Sequence, residues 1–285
     1  MTQPELPLLV LGATGGQGGA IVDALLERDV AVRALVRDPS SGSARQLESR
    51  GVTLVTGSLS DSDSLAAAMR DVAGAFTLTT PFESGPSAEV TQGRAIQSAA
   101  RAAGLPHLVF SSVAGATQDS GVPHFESKAV VERELAAGDV PFTILGPTYF
   151  FDNALGGEQQ IRDGFLELPL PPQRPLQQLA RADLGRFAAM VLLDPERFIG
   201  ERIELASDDP TPTQMAKSLG EALGRDVRHD EVPLDTIGSD DMLAMWKFLQ
   251  GQGYTVDLPS LHASHPDVGW TSFEDWAAQT MGAAS

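Results

Sequence analysis

The stretch LLVLGATGGQGGAIVDALLERDVAVRALVR, residues 8–37, decides the fold of this chain. It opens on four apolar residues, which is typical of a strand buried on both faces of a parallel sheet. Gly12, Gly15 and Gly18 follow at a G-x-x-G-x-x-G spacing, and apolar residues then recur at helical spacing. A second apolar strand, predicted over residues 30–36, completes the unit. The order of strand, glycine turn, helix and strand predicts the first unit of a doubly wound α/β fold.

The glycine turn has the properties of a phosphate-binding loop. Glycine lets the backbone bend tightly and come close to a pyrophosphate, and no bulkier residue would allow that approach. The helix that follows presents its unpaired N–H groups and the positive end of its dipole to the same anion. We therefore predict a dinucleotide site with cofactor contacts at Gly12, Thr14, Gly15, Gln17 and Gly18.

Arg37 ends the second strand, at the position where an NAD site has an acid for the ribose 2′-hydroxyl. A guanidinium there binds a 2′-phosphate through charge-assisted hydrogen bonds worth roughly 1.5–3 kcal/mol, or about ten- to a hundredfold in affinity. The sequence therefore predicts NADP(H) in preference to NAD(H). The alternative is that Arg37 is a solvated arginine paired with Asp38.

Composition narrows the classes of function. The 285 residues include 20 basic and 38 acidic side chains, a formal net charge of −18, so electrostatics oppose direct binding to nucleic acid or to an anionic membrane. The chain has no cysteine and its five histidines show no ligand spacing, so we expect no disulfide, no thiol chemistry and no metal site. Because we find no secretory or membrane segment, we expect a cytoplasmic location.

Strands and helices alternate for nearly 150 residues, which predicts a doubly wound parallel sheet. Small polar residues follow several of the predicted strands, at the carboxyl edge where open α/β sheets bind ligands. The predicted cofactor-binding residues at this edge are Ser58, Thr79, Thr80 and Ser111.

The segment 153–178 changes character and contains the proline-dense LPLPPQRP, which indicates a crossover into a second lobe. We assign residues 1–152, rejoined by about 179–206, to a Rossmann NAD(P)-binding domain. Residues 153–178 and 207–285 are assigned to a smaller, mainly helical C-terminal domain that covers the cleft and binds a substrate or partner. Its last helix is predicted to open with a capping box at TSFE, residues 271–274.

His124 and Lys128 are the candidate catalytic residues. Short-chain dehydrogenases have Y-x-x-x-K on the helix after the fifth strand, where tyrosine protonates a carbonyl and lysine holds the ribose. This chain keeps the spacing in HFESK, with Lys128 placed to bind the cofactor ribose, but has His124 at the tyrosine position. Histidine can act as a general acid near neutral pH. Tyr149 is the other nearby phenol and is counted with the cofactor-binding residues. The alternative is structural, with Ser111 and Ser112 satisfying backbone groups and His124 packing before the helix.

Together, VLGATGGQGGAIVDALL, ALVRDP, HFESK and GPTYFFDN make the chain similar to the NmrA-like family of atypical short-chain dehydrogenases. The similarity covers most of the chain, including RADLGRFAAMVLLDPERFIGERIELAS from residue 181 onward. It implies a Rossmann domain and a small C-terminal domain with the nicotinamide between them. The family's 2′-phosphate arginine corresponds to Arg37 and its active-site lysine to Lys128, while Ser58 replaces its usual acidic residue after the third strand.

The resemblance implies two classes of function. Some members are regulators that bind a dinucleotide and a protein partner without clear turnover. Others, the type 2 quinone oxidoreductases and triphenylmethane reductases, transfer hydride from NADPH to flat aromatic acceptors. HFESK fits both classes. Our first interpretation is an NADPH/NADP⁺ sensor or regulator that acts through a protein partner, and the alternative is an NADPH-dependent reductase of quinones or similar aromatic acceptors. A sugar-nucleotide epimerase is a third option, but it normally requires the tyrosine that His124 replaces.

Overall fold

The protein is built around one parallel sheet, seen in a computed structural model that describes residues 4–282. The strands in chain order are β1 Leu8–Leu11, β2 Val32–Val36, β3 Thr53–Thr56, β4 Gly74–Leu78, β5 Leu108–Ser111, β6 Phe142–Pro147, β7 Tyr149–Phe150, β8 Phe165–Leu168, β9 Gln178–Leu179, β10 Arg202–Leu205 and β11 Arg228–Glu231. Seven of them form the central sheet in the order β10-β6-β5-β4-β1-β2-β3, with every neighbouring pair parallel. The predicted doubly wound α/β sheet is confirmed.

Helices cover both faces of this sheet. The helices in chain order are α1 Gly16–Leu26, α2 Gly42–Ser49, α3 Ser62–Met69, α4 Pro86–Ala103, α5 Pro123–Ala136, α6 Glu158–Arg162, α7 Arg181–Leu193, α8 Pro195–Phe198, α9 Pro212–Leu223, α10 Asp240–Gln250, α11 Leu258–Ser264 and α12 Phe273–Met281. Residues of α1, α2 and α7 share one hydrophobic cluster, and residues of α3, α4 and α5 share another. Among residues 4–282, no helix is both long enough and apolar enough to cross a bilayer.

β1 shows why the sheet is covered on both sides. Its four residues are completely buried. Leu8 and Val10 belong to the cluster with α1 and α7, whereas Leu9 and Leu11 belong to the cluster with α3, α4 and α5. Alternate residues of a strand face opposite sides of a sheet, so an unbroken apolar run requires two apolar layers.

Helices α1 and α7 meet at backbone distance. A Cβ built on Gly185 would lie 2.3 Å from the carbonyl oxygen of Ala20, so no side chain fits at this position of α7. The first residue of α7 is Arg181, which is thereby held beside the glycine turn that precedes α1. This contact joins a late helix of the chain to the predicted cofactor-binding loop.

Several local boundaries differ from those predicted. β2 begins at Val32 rather than residue 30, and the segment 153–178, predicted as a crossover, contains α6 and β8. The last helix is capped by Ser272, which accepts a hydrogen bond from the Asp275 N–H at 3.1 Å, so the predicted cap at Thr271 is wrong by one residue. Thr271 instead donates from its N–H and its hydroxyl to the buried carboxylate of Asp183, at 2.8 and 2.7 Å.

A third hydrophobic cluster lies outside the two sheet layers. It joins side chains of the 153–178 segment, such as Leu168, to C-terminal residues such as Trp246 and Trp276. The pairing of β8 with β11 connects the same two parts of the chain. On this basis we propose the division given above, with residues 1–152 and 179–206 in the Rossmann domain and residues 153–178 and 207–285 in the smaller domain. Phe125 of α5 also belongs to this cluster, so α5 contacts both of the proposed domains.

Candidate functional site

A cavity of about 710 Å³ lies at the carboxyl edge of the sheet, beside the glycine turn and the ends of β2 and β3. Its lining includes eight predicted cofactor-binding residues: Gly12, Thr14, Gly15, Gln17, Gly18, Arg37, Ser58 and Thr80. The other predicted residues, which are Thr79, Ser111, His124, Lys128 and Tyr149, lie outside this lining and are described below.

The glycine turn fits a dinucleotide pyrophosphate. Gly12 has φ +68°, a conformation that favours glycine, and its carbonyl accepts a hydrogen bond from the Gly15 N–H at 2.9 Å. A Cβ on Gly18 would lie 2.3 Å from the same carbonyl oxygen, so α1 can start this close to the turn only with glycine there. The first turn of α1 has neither a side-chain cap nor an acidic residue. Its N–H groups are therefore available to an anion.

Arg37 lines the cavity and is paired with Glu83 rather than with Asp38. Its Nη1 lies 3.4 Å from Glu83 Oε1, and the two side chains are 77% and 60% exposed. Asp38 accepts hydrogen bonds from the N–H and hydroxyl of Ser40, which lower the pKa of its carboxyl. Because Glu83 also lines the cavity, a 2′-phosphate on Arg37 would meet this carboxylate.

We expect Arg37→Ala to weaken NADPH binding by about ten- to a hundredfold and to leave NADH binding nearly unchanged. Glu83→Gln should strengthen NADPH binding, because it removes a negative charge that competes with the 2′-phosphate for Arg37. Isothermal titration with both cofactors measures these changes, and Arg45→Ala serves as an arginine control outside the cavity lining. Equal losses for NADPH and NADH in Arg37→Ala would contradict this role.

Arg181 is a cavity residue that we did not predict. Its guanidinium covers Gly16, since a Cβ built on Gly16 would lie 2.6 Å from Arg181 Cζ. Its Nη1 is 3.5 Å from Asp152 Oδ1, and Cζ lies 5.9 Å from the centre of the Phe150 ring. A cation at the N-terminus of α7 is unfavourable for that helix's dipole. An anion bound at the neighbouring glycine turn would compensate this unfavourable interaction between Arg181 and the helix dipole.

Arg181→Ala is expected to weaken NADPH and NADH binding to the same extent, by about tenfold, because the pyrophosphate is common to both cofactors. The control is Arg162→Ala, which removes an arginine of comparable exposure that is paired with Glu158 on α6. Loss of NADPH binding alone would place the 2′-phosphate, rather than the pyrophosphate, near Arg181.

Lys128 is held in a buried polar cluster next to this cavity. Its Nζ donates to Glu89 Oε1 at 2.7 Å and to the carbonyl oxygen of Thr79 at 3.3 Å. Glu89 is completely buried and also accepts hydrogen bonds from the hydroxyls of Thr79 and Ser127, at 2.8 and 2.5 Å. Thr79 directly precedes Thr80, which lines the cavity. The third donor hydrogen of the ammonium faces the Thr79 hydroxyl oxygen at 3.5 Å, the long limit of a hydrogen bond, so a ligand hydroxyl at normal distance would replace this contact.

Glu89 was missed, although the sequence contains a signal for it. It lies four residues before Gly93 and seven before Ile96, on the buried face of α4. A carboxylate on an apolar helix face requires a partner, and Lys128 is one of the few lysines in the chain.

His124 lies at the start of α5 and is 9% exposed. The ring Nδ1 lies 2.8 and 2.9 Å from the two carboxylate oxygens of Asp241. The backbone N–H of His124 donates to Asp241 Oδ1 at 3.1 Å. Its ring packs edge-on to Phe125 at 4.7 Å and lies 5.7 Å from Phe82 between ring centres. Asp241, on α10 of the smaller domain, was not predicted.

The remaining predicted residues have structural contacts. Ser111 donates from its hydroxyl to Gln17 Oε1 at 2.7 Å, which connects β5 to the glycine turn. Tyr149 packs against Trp246 with ring centres 5.6 Å apart, and burial raises the pKa of its phenol to about 12. The phenol therefore stays protonated at neutral pH. Within residues 4–282, no group of three or more histidine, aspartate or glutamate side chains is arranged to hold a metal ion.

The model of the NmrA-like family matches residues 5–277. An NAD(P)H azoreductase from Xenophilus azovorans is 28% identical over 229 residues, which cover 80% of this chain and 78% of that protein.

Solved structures show the same fold at lower sequence identity. The triphenylmethane reductase of Citrobacter sp., solved in complex with NADP(H), is 21% identical, with a TM-score of 0.81 over 96% of this chain and 99% of its own. NmrA, a negative transcriptional regulator solved with NADP, is 21% identical, with a TM-score of 0.82 over 98% of this chain and 96% of its own. NmrA has also been solved in complex with NAD.

Proposed function

Because the chain belongs to the NmrA-like family, we propose that it is an NADP(H)-dependent oxidoreductase that reduces flat aromatic acceptors such as quinones or dyes. The observation that carries this proposal is the Lys128 cluster, in which a buried carboxylate fixes an ammonium beside the dinucleotide cavity. Hydride transfer requires the nicotinamide to be held in a fixed orientation, and a fixed ammonium at this place would provide that.

Each part of the site has a separate task. The glycine turn and Arg181 bind the pyrophosphate, and Arg37 binds the 2′-phosphate. Lys128 holds a hydroxyl of the nicotinamide ribose with the donor hydrogen that otherwise makes the long contact with Thr79 Oγ1, and Glu89 fixes the ammonium in place. When bound, NADPH supplies a hydride. His124 supplies the proton that a reduced acceptor oxygen or nitrogen needs.

The acceptor class rests on the aromatic surroundings of His124. Phe82, which is 73% exposed, and Phe125 flank the imidazole, and Phe248 and Tyr254 pack in turn against Phe125. Aromatic side chains favour flat, apolar ligands. The azoreductase relative and the triphenylmethane reductase neighbour support such an acceptor.

The test is NADPH oxidation by the purified protein in the presence of an azo dye, a triphenylmethane dye and a quinone. We expect consumption of NADPH that depends on at least one of these acceptors, together with formation of the reduced acceptor. NADPH binding is measured separately by calorimetry. Tight binding with no turnover across the panel would overturn the reductase proposal.

A second candidate is a regulator that binds the dinucleotide and acts through a protein partner, and the loop that follows β4 favours it. Glu83 of this loop is paired with Arg37, and the adjacent Phe82 exposes its ring to solvent. Binding of a 2′-phosphate to Arg37 would release Glu83 and change the position of Phe82, on a surface that a protein partner could contact. This function predicts a partner that binds the NADP(H) form with a different affinity from the NAD(H) form or the free protein, without cofactor consumption. Because NADPH and NADP⁺ share the 2′-phosphate, this loop does not distinguish between these two redox forms.

A further inference from the structure

We infer that Asp241, on the smaller domain, is a positioning residue that holds His124 as the proton donor of the cleft. This inference rests on the proposed reductase function. The proximity of both carboxylate oxygens to Nδ1 assigns the proton on that nitrogen, because a carboxylate can only accept. Any second proton on the imidazole is therefore on Nε2.

The Nε2 atom is free to act. It has no hydrogen-bond partner in the part of the chain that the structure describes, residues 4–282, and it is not one of the polar atoms there that are both unpartnered and sealed from solvent. The imidazole is held from its other side by Asp241 and packed between two aromatic rings. Asp241 thus fixes Nδ1, and Nε2 remains accessible.

Helix capping explains only part of this arrangement. The residue before α5, Val122, provides no side-chain cap, and the carboxylate of Asp241 accepts the N–H of His124 in its place. That bond needs one carboxylate oxygen. The contacts with Nδ1 are additional, and they join a side chain of α10 to one 117 residues earlier in the chain.

Proton transfer from His124 completes the reduction of a quinone. A hydride gives a quinone two electrons and one proton, and hydroquinone formation needs one more proton. The Nε2–H bond of the protonated imidazole breaks as the O–H bond of the product forms, which leaves the neutral imidazole with its proton on Nδ1. Asp241 stabilises this tautomer, and it also compensates the charge of the protonated form before transfer. Nε2 is then protonated again from solvent.

Asp241→Asn tests the inference, because the amide oxygen can still cap α5 while the negative charge is lost. We expect kcat for reduction of a quinone or azo acceptor, which needs a proton, to fall about a hundredfold, with KM and the NADPH dissociation constant changed less than about threefold. Asp240→Asn, which removes the exposed neighbouring carboxylate on the same helix, should leave all three unchanged. Because Asp241 acts through His124, adding Asp241→Asn to the His124→Gln variant should cause no further loss of kcat.

A second readout does not require turnover. The ¹⁵N NMR signals of the imidazoles, with His124 identified by its absence in His124→Gln, should show His124 protonated at Nδ1 in the wild type and altered in Asp241→Asn. Unchanged signals, or an equal loss of kcat in the His124→Gln background, would overturn the inference. Altered signals in a protein that reduces no acceptor would instead count against the reductase proposal alone.

Discussion

Replacing Lys128 by methionine is expected to lower kcat for acceptor reduction by about a hundredfold, while the NADPH dissociation constant rises less than about tenfold. Methionine fills a similar volume but removes the ammonium that is fixed by Glu89 and by the carbonyl of Thr79. The pyrophosphate and 2′-phosphate contacts remain, so the cofactor still binds. Its nicotinamide ribose loses an anchor, and a displacement of about 1 Å at the reacting carbon is enough for a loss of this size.

Steady-state kinetics and calorimetry on the same preparations separate the two effects. Lys217→Met is the matched control, because Lys217 is an exposed lysine on α9 that is paired with Glu221 one turn away. Its kinetics should be those of the wild type. If Lys128→Met keeps the wild-type kcat, Lys128 does not orient the cofactor and its ion pair is purely structural.

Glu89→Gln is expected to lower the free energy of unfolding by about 3–5 kcal/mol. Glu89 is completely buried and the Lys128 side chain is 11% exposed, so the substitution leaves an ammonium with little access to water and no opposite charge. Glutamine keeps the size of the side chain, which separates this effect from that of a cavity. Urea denaturation followed by fluorescence measures the change.

A pair of further variants distinguishes the charge from the packing. Lys128→Met in the Glu89→Gln background should recover part of the lost stability, because the uncompensated charge is then absent. Glu134→Gln, which breaks the exposed ion pair with Arg94, should cost less than about 1 kcal/mol. Equal costs for Glu89→Gln and Glu134→Gln would contradict the assignment of a strong buried pair.

The sequence was sufficient for the parts of the fold that depend on local patterns. The β1–α1–β2 unit follows from an apolar run, a glycine spacing and a helical period, all within residues 8–37. The cap of α12 marks the limit of such reasoning. Thr271 and Ser272 each have an acid three residues later, so the local sequence permits either register. The hydrogen bonds of Thr271 with Asp183 in α7 leave Ser272 as the cap, and that contact is not visible in the sequence.

The candidate site was predicted where one segment supplies it and missed where distant segments meet. The glycine turn and Arg37 belong to one unit of the chain and line one cavity. Arg181 reaches Gly16 only because α7 packs backbone to backbone against α1. Asp241 reaches His124 from the smaller domain, and nothing in its local sequence distinguishes it from the adjacent Asp240. The geometry also moves our preference from the sensor, which came first in the sequence, to the reductase.

The most direct test of the reductase account is the fate of the cofactor hydrogen. NADPH carrying deuterium at one face of nicotinamide C4 is incubated with the protein and a triphenylmethane dye, and the colourless product is examined by mass spectrometry. The dye is informative because hydride adds to its central carbon, where deuterium does not exchange with water. We predict one deuterium in each product molecule from NADPH labelled at one face and none from the opposite label. Product without deuterium from either label would contradict hydride transfer in this cleft.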